Sequence, residues 1–195
     1  FKNYPTNIKE DIKILKKNKK VDFLYIPKFK DIYNNNKKSN IKITKKDKIL
    51  CAKFRKGHFE GVLDVMGRLT NLVNPKKIFM GKKDYQQYFL IKNYLKNKYK
   101  TSIIPCKTIR NKSKIALSSR NNHLDLNGIK KASFLSKSLI KLKKNLANSK
   151  KIKQNLKIQM KYFEKFLKIK IEYLELRSIK NLKISNTVKG SRLFV

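Results

Sequence analysis

Lys77-Ile78-Phe79-Met80-Gly81-Lys82-Lys83-Asp84-Tyr85-Gln86-Gln87 is the stretch on which the fold turns. The apolar run before Gly81 reads as a short strand, and the run from Tyr85 to Lys96 carries apolar residues at helical spacing. A glycine between strand and helix lets the backbone approach a bound group, and a helix N-terminus attracts anions. Lys82 and Lys83 add mobile positive charge, Asp84 an acceptor. Gln87 lies one turn beyond Lys83, so both side chains can face one space. These residues suit a phosphate and polar-substrate site. They also suit an ordinary turn and helix cap.

Outward from that stretch, the chain repeats the same step. Ile8, Ile12 and Leu15 are spaced as one face of a helix, with Asp11 early and lysines late, as the helix dipole favours. Val21-Asp22-Phe23-Leu24-Tyr25-Ile26, ended by Pro27, has the signature of a buried strand. Asn34 to Lys38 reads as a polar turn, and Ile41-Lys42-Ile43-Thr44 alternates like a short exposed strand. A basic loop, Lys53 to Gly61, leads to a helix over Val62 to Val73, broken by Asn74-Pro75. The strand before Gly81 follows, then the helix after it, then a strand Thr101-Ser102-Ile103-Ile104 closed by Pro105. Alternating helices and strands predict an α/β parallel sheet, whose ligands sit at the carboxyl ends of strands. Further on, Gly128 to Leu146 and Ile152 to Leu167 are helical in pattern. Ile169 to Leu176 alternates as a half-buried strand, and Gly190 to Val195 supplies another.

The 195 residues carry 51 Lys+Arg against 12 Asp+Glu, a formal net charge of +39. Such a charge invites a nucleic-acid reading. Here the positive charge is mostly lysine spread along the whole length, with abundant asparagine and isoleucine. That pattern fits AT-rich coding bias on solvated faces better than a basic patch with interleaved aromatics. Weak, salt-sensitive binding of polyanions is expected and specific nucleic-acid binding is not. No apolar run is long enough to cross a bilayer, and nothing reads as a signal peptide, so a cytoplasmic protein is expected. Cys51 and Cys106 are isolated and read as free thiols of a reducing compartment.

His58, beside Gly57 in the basic loop, is by residue type more often a structural donor than a catalytic group, and Arg55 reads equally as a solvated charge or an anion contact. Neither completes a catalytic triad. His123 stands too far from other ligands for a zinc site, so no metal is assigned to protein ligands. Ile109-Arg110 and Ala116-Leu117-Ser118-Ser119-Arg120-Asn121 form the second informative stretch. Two hydroxyls and a forked guanidinium grip phosphate oxygens well, and the same residues make a capped surface turn.

Five ordered segments now carry a resemblance: RKGHFEGV (Arg55 to Val62), NLVNP (Asn71 to Pro75), GKKDYQQ (Gly81 to Gln87), ALSSRN (Ala116 to Asn121) and YLELRSI (Tyr173 to Ile179). In order and spacing they resemble the pantothenate synthetase (pantoate–β-alanine ligase) family, as do Tyr4-Pro5 and Asp31-Ile32-Tyr33. The likeness runs over essentially the whole chain. It implies a Rossmann-like nucleotidylyltransferase sheet, incomplete at its N-terminal side, over residues 1–109. A small α+β lid domain bearing the SSR loop would span 110–195, with the hinge near 107–114. It further implies an ATP-dependent ligase joining pantoate to β-alanine through a pantoyl adenylate, with ATP as substrate, Mg2+ as cofactor and a homodimeric assembly.

Carried across position by position, Gly81, Lys82, Lys83 and Asp84 match the family's ATP-binding stretch, with Lys83 the cation on the phosphates. Ile109 and Leu117 match adenosine-lining positions, and Ser118, Ser119 and Arg120 match the phosphate-gripping loop. The resemblance thus makes Lys83, Ser118, Ser119 and Arg120 the catalytic set. Gln87 matches a pantoate-binding glutamine, and His58 and Arg55 fall on the β-alanine side.

The chain departs from the family pattern at several points. Lys82 replaces a usual Glu, Ser113-Lys114 a usual Asp-Gly, and Asn34 a usual proline. The HxGH signature, a first pantoate-binding glutamine and a last strand do not appear. An internal, inactive piece of the ligase is therefore expected, one that releases no AMP unless joined to an HxGH-bearing half. Two alternatives stand beside it: another nucleotidyltransferase of this superfamily, which should lack Gln86-Gln87 after Lys83-Asp84, and a basic nucleic-acid-binding module.

Overall fold

The structure, a computed structural model, describes residues 7–18, 20–33 and 40–195. The Tyr4-Pro5 likeness, the polar turn at 34–38 and the Asn34 departure fall partly or wholly outside them. In order, the chain forms α1 (Ile8–Lys17), α2 (Phe29–Ile32), α3 (Cys51–Phe54), α4 (His58–Val73), β1 (Lys77–Gly81), α5 (Tyr85–Lys96), β2 (Ser102–Cys106), α6 (Leu126–Asn145), α7 (Ile152–Leu167), β3 (Glu175–Ser178) and β4 (Ser191–Phe194).

β1 and β2 pair in parallel, with Ile78 opposite Ile103 and Met80 opposite Pro105. A parallel pair needs a crossover, which α5 supplies. Beneath the pair, α4 and α5 pack their apolar faces. Phe59, Leu63, Gly67 and Thr70 of α4 recur every three or four residues and are buried. They meet Leu90, Ile91 and Leu95, of which Ile91 and Leu95 have no exposed surface. Gly67 permits the close approach, since a Cβ there would sit 3.2 Å from the Tyr94 ring. Arg68 ties α2 down: its guanidinium bonds Asp64, lies 4.7 Å from the centre of the Tyr33 ring and donates to the Ile32 carbonyl.

A second core forms where α6 and α7 meet the antiparallel pair β3–β4, around Leu146, Leu156, Phe163, Leu167, Leu174 and Leu176. Burying a side chain such as Phe163 contributes roughly 1.5–3 kcal/mol. A third cluster joins the two halves: Leu50, Leu182 and Phe194, flanked by Tyr85, Phe89 and Tyr173.

Several expectations are corrected. Residues 21–26 form no regular secondary structure and pair with no strand among the described residues, and Phe23 is 94% exposed. An apolar run becomes a strand only when a neighbour completes its hydrogen-bond ladder, and no strand among the described residues pairs with this one. Residues 41–44 form no strand either; Ile43 instead drops into the α4–α5 core. The helix expected from Val62 begins one turn earlier, at His58, because Gly57 reverses the chain with φ +76°. β2 runs through Pro105, which a sheet edge tolerates because the missing N–H has no ladder bond to make there. Finally, β3 starts only at Glu175. Residues 169–174 follow the left-handed Lys168 cap, and the Glu164 carboxylate accepts from the Ile171 N–H.

Candidate active site

β1 delivers Gly81 to its carboxyl end, and one tight 3-10 turn, Lys82–Asp84, separates it from α5. Gly81 has φ −66°, and a Cβ built there would meet nothing within 4 Å. The fold itself therefore does not require glycine at 81, and the space beside its Cα is open to a bound group.

Lys83, Asp84 and Gln87 line a cavity of about 280 Å3. Its second wall is the turn into α4, with Cys51, Arg55 and His58. The third is a hairpin over residues 109–117 that contributes Arg110 and Ala116, with Thr108 just before it. The last comes from the C-terminal half, through Tyr173 and residues 192–195. Arg55, Lys83, Arg110 and Arg192 face this space against Asp84 as the one acidic side chain among the lining residues. Such a cavity favours anions.

The hairpin explains how the second informative stretch reaches the site. The Lys114 N–H donates to the Asn111 carbonyl at 2.9 Å, the Asn111 N–H to the Ile115 carbonyl at 3.0 Å, and Lys114 has φ +66°. That is a turn followed by a left-handed bulge residue, a place glycine normally fills. The chain keeps the conformation with lysine in it. Arg110 and the Ser136 hydroxyl both donate to the Lys114 carbonyl and hold it there.

Ile109 and Leu117 face each other at the hairpin base, the Leu117 N–H donating to the Ile109 carbonyl at 3.0 Å. Both stay exposed, at 63% and 56%, outside the cavity proper. Ser118 caps the following 3-10 turn, Ser119–His123, by accepting from the Arg120 N–H at 3.3 Å. The Asn121 amide donates to the Ala116 carbonyl. Arg120 approaches His58 closely enough to depress its pKa. Lys82 turns the other way, into a separate depression with Tyr88, Lys92 and Arg192.

His58 is held below its usual pKa of 6.5, first by burial, then by Arg55 and Arg120, with Asp84 opposing. Its imidazole is accordingly neutral at neutral pH. The Tyr173 phenol lies 2.8 Å from the Cys51 sulfur, and burial followed by that contact pushes its pKa up. Tyr85 donates to the Ile179 carbonyl at 3.1 Å under the Arg192 guanidinium, 5.2 Å from the ring centre. Burial lowers the pKa of Arg192.

Sequence reasoning missed Cys51, Tyr173 and Arg192 as parts of this wall. Only the YLELRSI segment signalled Tyr173, whereas Arg192 sits in a strand whose contact with α5 is purely tertiary. Thr108 was also missed, and its buried hydroxyl has no hydrogen-bond partner. Among the described residues no group of three or more His, Cys, Asp and Glu could hold a metal. A larger apolar depression of about 650 Å3 lies between α6 and β4, but neither His58, Lys83 nor Gln87 lines it.

A family model described as pantoate-beta-alanine ligase matches residues 1–195. The chain belongs to the pantoate-beta-alanine ligase family. It is 43% identical over 180 residues to a bifunctional pantoate ligase/cytidylate kinase of Prochlorococcus marinus (strain MIT 9301), covering 90% of this chain and 34% of that protein. It is 32% identical over 201 residues to the pantothenate synthetase of Caldicellulosiruptor saccharolyticus, covering 99% of this chain and 69% of that one. The chain thus spans about a third of the bifunctional relatives and about two thirds of the pantothenate synthetases. The crystal structure of the Francisella tularensis pantoate-beta-alanine ligase, complexed with beta-gamma ATP and beta-alanine, superposes with a TM-score of 0.75 at 33% identity. The match covers 88% of this chain and 62% of that one. Membership of the pantoate-beta-alanine ligase family accounts for the parallel pair, the α5 crossover and the small antiparallel sheet. No described helix is long and apolar enough to cross a membrane.

Proposed function

We propose that this chain serves the ATP-dependent condensation of pantoate with β-alanine. Pantoate's carboxylate oxygen attacks the α-phosphorus of ATP, expelling pyrophosphate and forming pantoyl adenylate. The β-alanine amine then attacks the acyl carbon, AMP leaves, and the amide of pantothenate forms. Support comes from one cavity that gathers Arg55, His58, Lys83 and Gln87 beside the hairpin leading to Ser118, Ser119 and Arg120.

A phosphoryl centre gaining negative charge needs fixed cations and donors more than a nucleophile. Lys83, on the β1–α5 turn, would neutralise that charge. Ser118, Ser119 and Arg120 would grip the phosphate oxygens, with Gly81 and Asp84 completing the ATP stretch and Ile109 and Leu117 offering apolar area to the adenosine, while Lys82 faces the neighbouring depression. Gln87 would hydrogen-bond pantoate. Arg55 would hold the β-alanine carboxylate, and the neutral His58 would accept the proton its ammonium must lose before attack. Asp84 would be the side chain to hold a Mg2+ ion at the nucleotide, since that ion uses one or two carboxylates together with substrate phosphates. When bound, that ion supplies charge neutralisation on the triphosphate. We further propose that the protein works in the cytoplasm as a homodimer, with a lid spanning residues 110–195. The free thiols Cys51 and Cys106 suit a reducing compartment.

The test is AMP release from ATP, measured on a protein containing this chain, with the requirement that both pantoate and β-alanine be present. Lys83→Ala is expected to cost roughly 10²–10³-fold in rate, about 3–4 kcal/mol. Full activity of that variant would remove Lys83 from the mechanism. AMP release indifferent to pantoate would remove the ligase assignment.

A further inference from the structure

We propose that Gln86 is a positioning residue whose side-chain amide clamps the turn at residues 47–50 and so sets the wall at 55–58 against Lys83 and Gln87. Gln86 is 5% exposed on α5. Its Nε2 donates to the Ile49 carbonyl at 2.7 Å and to the Asp47 carbonyl at 3.2 Å. An amide nitrogen has two hydrogens, and both are used. A flipped amide would set its oxygen against two carbonyl oxygens, so the geometry itself determines which atom is which. The remaining Oε1 is buried without a protein partner, and Gln86 itself lines the cavity. Its amide nitrogen is fully committed to the backbone that leads into the 55–58 wall.

What it holds is unusual. Leu50, directly after the two clamped carbonyls, has φ 50° and ψ −130°, a region that residues with a Cβ rarely occupy. Its side chain is buried against Leu182 and Phe194. From that bend the chain enters α3, which presents Cys51 to Tyr173, and within one further turn it places Arg55 and His58 on the cavity. Gln87, the next residue of α5, lines the same cavity from the other side. That side chain thus adds a directional tie between the two walls to the apolar packing of Ala52 and Phe59 with Leu90 and Ile91. The further claim, that this distance governs amine binding, rests on the function proposed above.

Hydrogen exchange on the 195-residue chain tests the clamp without an activity assay. Gln86→Met keeps the length and removes both donors. Amides over residues 50–58 are expected to exchange at least roughly ten-fold faster, with α7 unchanged. Equal exchange over 50–58 overturns the proposal, as does a uniform rise that includes α7. Gln86→Glu provides a second test, and carries it alone should Gln86→Met not fold. The ionised carboxylate has no donor, whereas its protonated form regains one. The excess exchange over wild type at the same pH is therefore expected to shrink as pH falls; a pH-independent excess would mean lost packing and sink the clamp. In ligation assays on a protein that contains this chain joined to an HxGH-bearing half, Gln86→Met is expected to raise the KM for β-alanine and leave that for ATP unchanged. Faster exchange without that KM change keeps the clamp and refutes the amine-side placement of Arg55 and His58.

Discussion

Lys114→Gly should stabilise this protein although it removes a side chain. Lys114 holds φ +66° at the bulge position of the 109–117 hairpin, pinned by its own N–H to Asn111 and by Arg110 and Ser136 on its carbonyl. A residue with a Cβ costs about 1–2 kcal/mol in that left-handed basin. Glycine removes the cost but gives the unfolded chain more freedom, worth about 0.4–1 kcal/mol the other way. At the middle of both ranges the difference is a net gain of about 0.8 kcal/mol, or roughly 2–3 °C in Tm for a chain of this size. Urea or thermal unfolding of the two proteins side by side measures it. Lys112→Gly is the control: it lies in the same turn and is not among the residues with positive φ, so only the unfolded-state penalty of about 0.4–1 kcal/mol applies, as a loss. A Lys114→Gly protein destabilised as much as Lys112→Gly would show that the bulge carries no strain and refute the reasoning.

Other outcomes follow from the same geometry. Gly81→Ala should fold with stability changed by less than about 0.5 kcal/mol, because a Cβ there meets nothing within 4 Å. It should still weaken ATP binding by calorimetry if a phosphate approaches that Cα, and unchanged affinity would remove Gly81 from the nucleotide site. For His58, NMR titration should give a midpoint below 6.5, and Arg55→Ala should raise it, since Arg55 is among the charges holding it down. The sign for stability follows: the unfolded chain binds the proton first, so His58's contribution is intact above pH 6.5 and is lost as pH falls from 6.5 toward the folded midpoint. A midpoint above 6.5 would contradict the burial and charge ascribed to this wall.

Local pattern alone determined a good deal of this molecule. The spacing of apolar residues was enough for α5 and α7, and for the strand before Gly81, because helix and strand periodicities are written into consecutive side chains. The two stretches proposed to grip anions stand out for a similar reason: Gly81 to Gln87 and Ala116 to Asn121 are short and chemically specific. Lys114 in place of a glycine was visible too, though its left-handed conformation was not.

Tertiary structure decided the rest. Residues 21–26 have a strand's composition, yet composition cannot supply the neighbour that a ladder requires. Ile43 reads as exposed alternation until α4 and α5 offer it a core. Most of the candidate site is of this second kind. Cys51 meets Tyr173 across 122 residues, and Arg192 reaches Tyr85 only because β4 packs on α5. Gln86 looks like a neighbour of Gln87, but its amide is committed to a turn 37 to 39 residues upstream. Hydrogen bonds between distant segments depend on where the backbone returns in space, and no window of consecutive residues contains that distance.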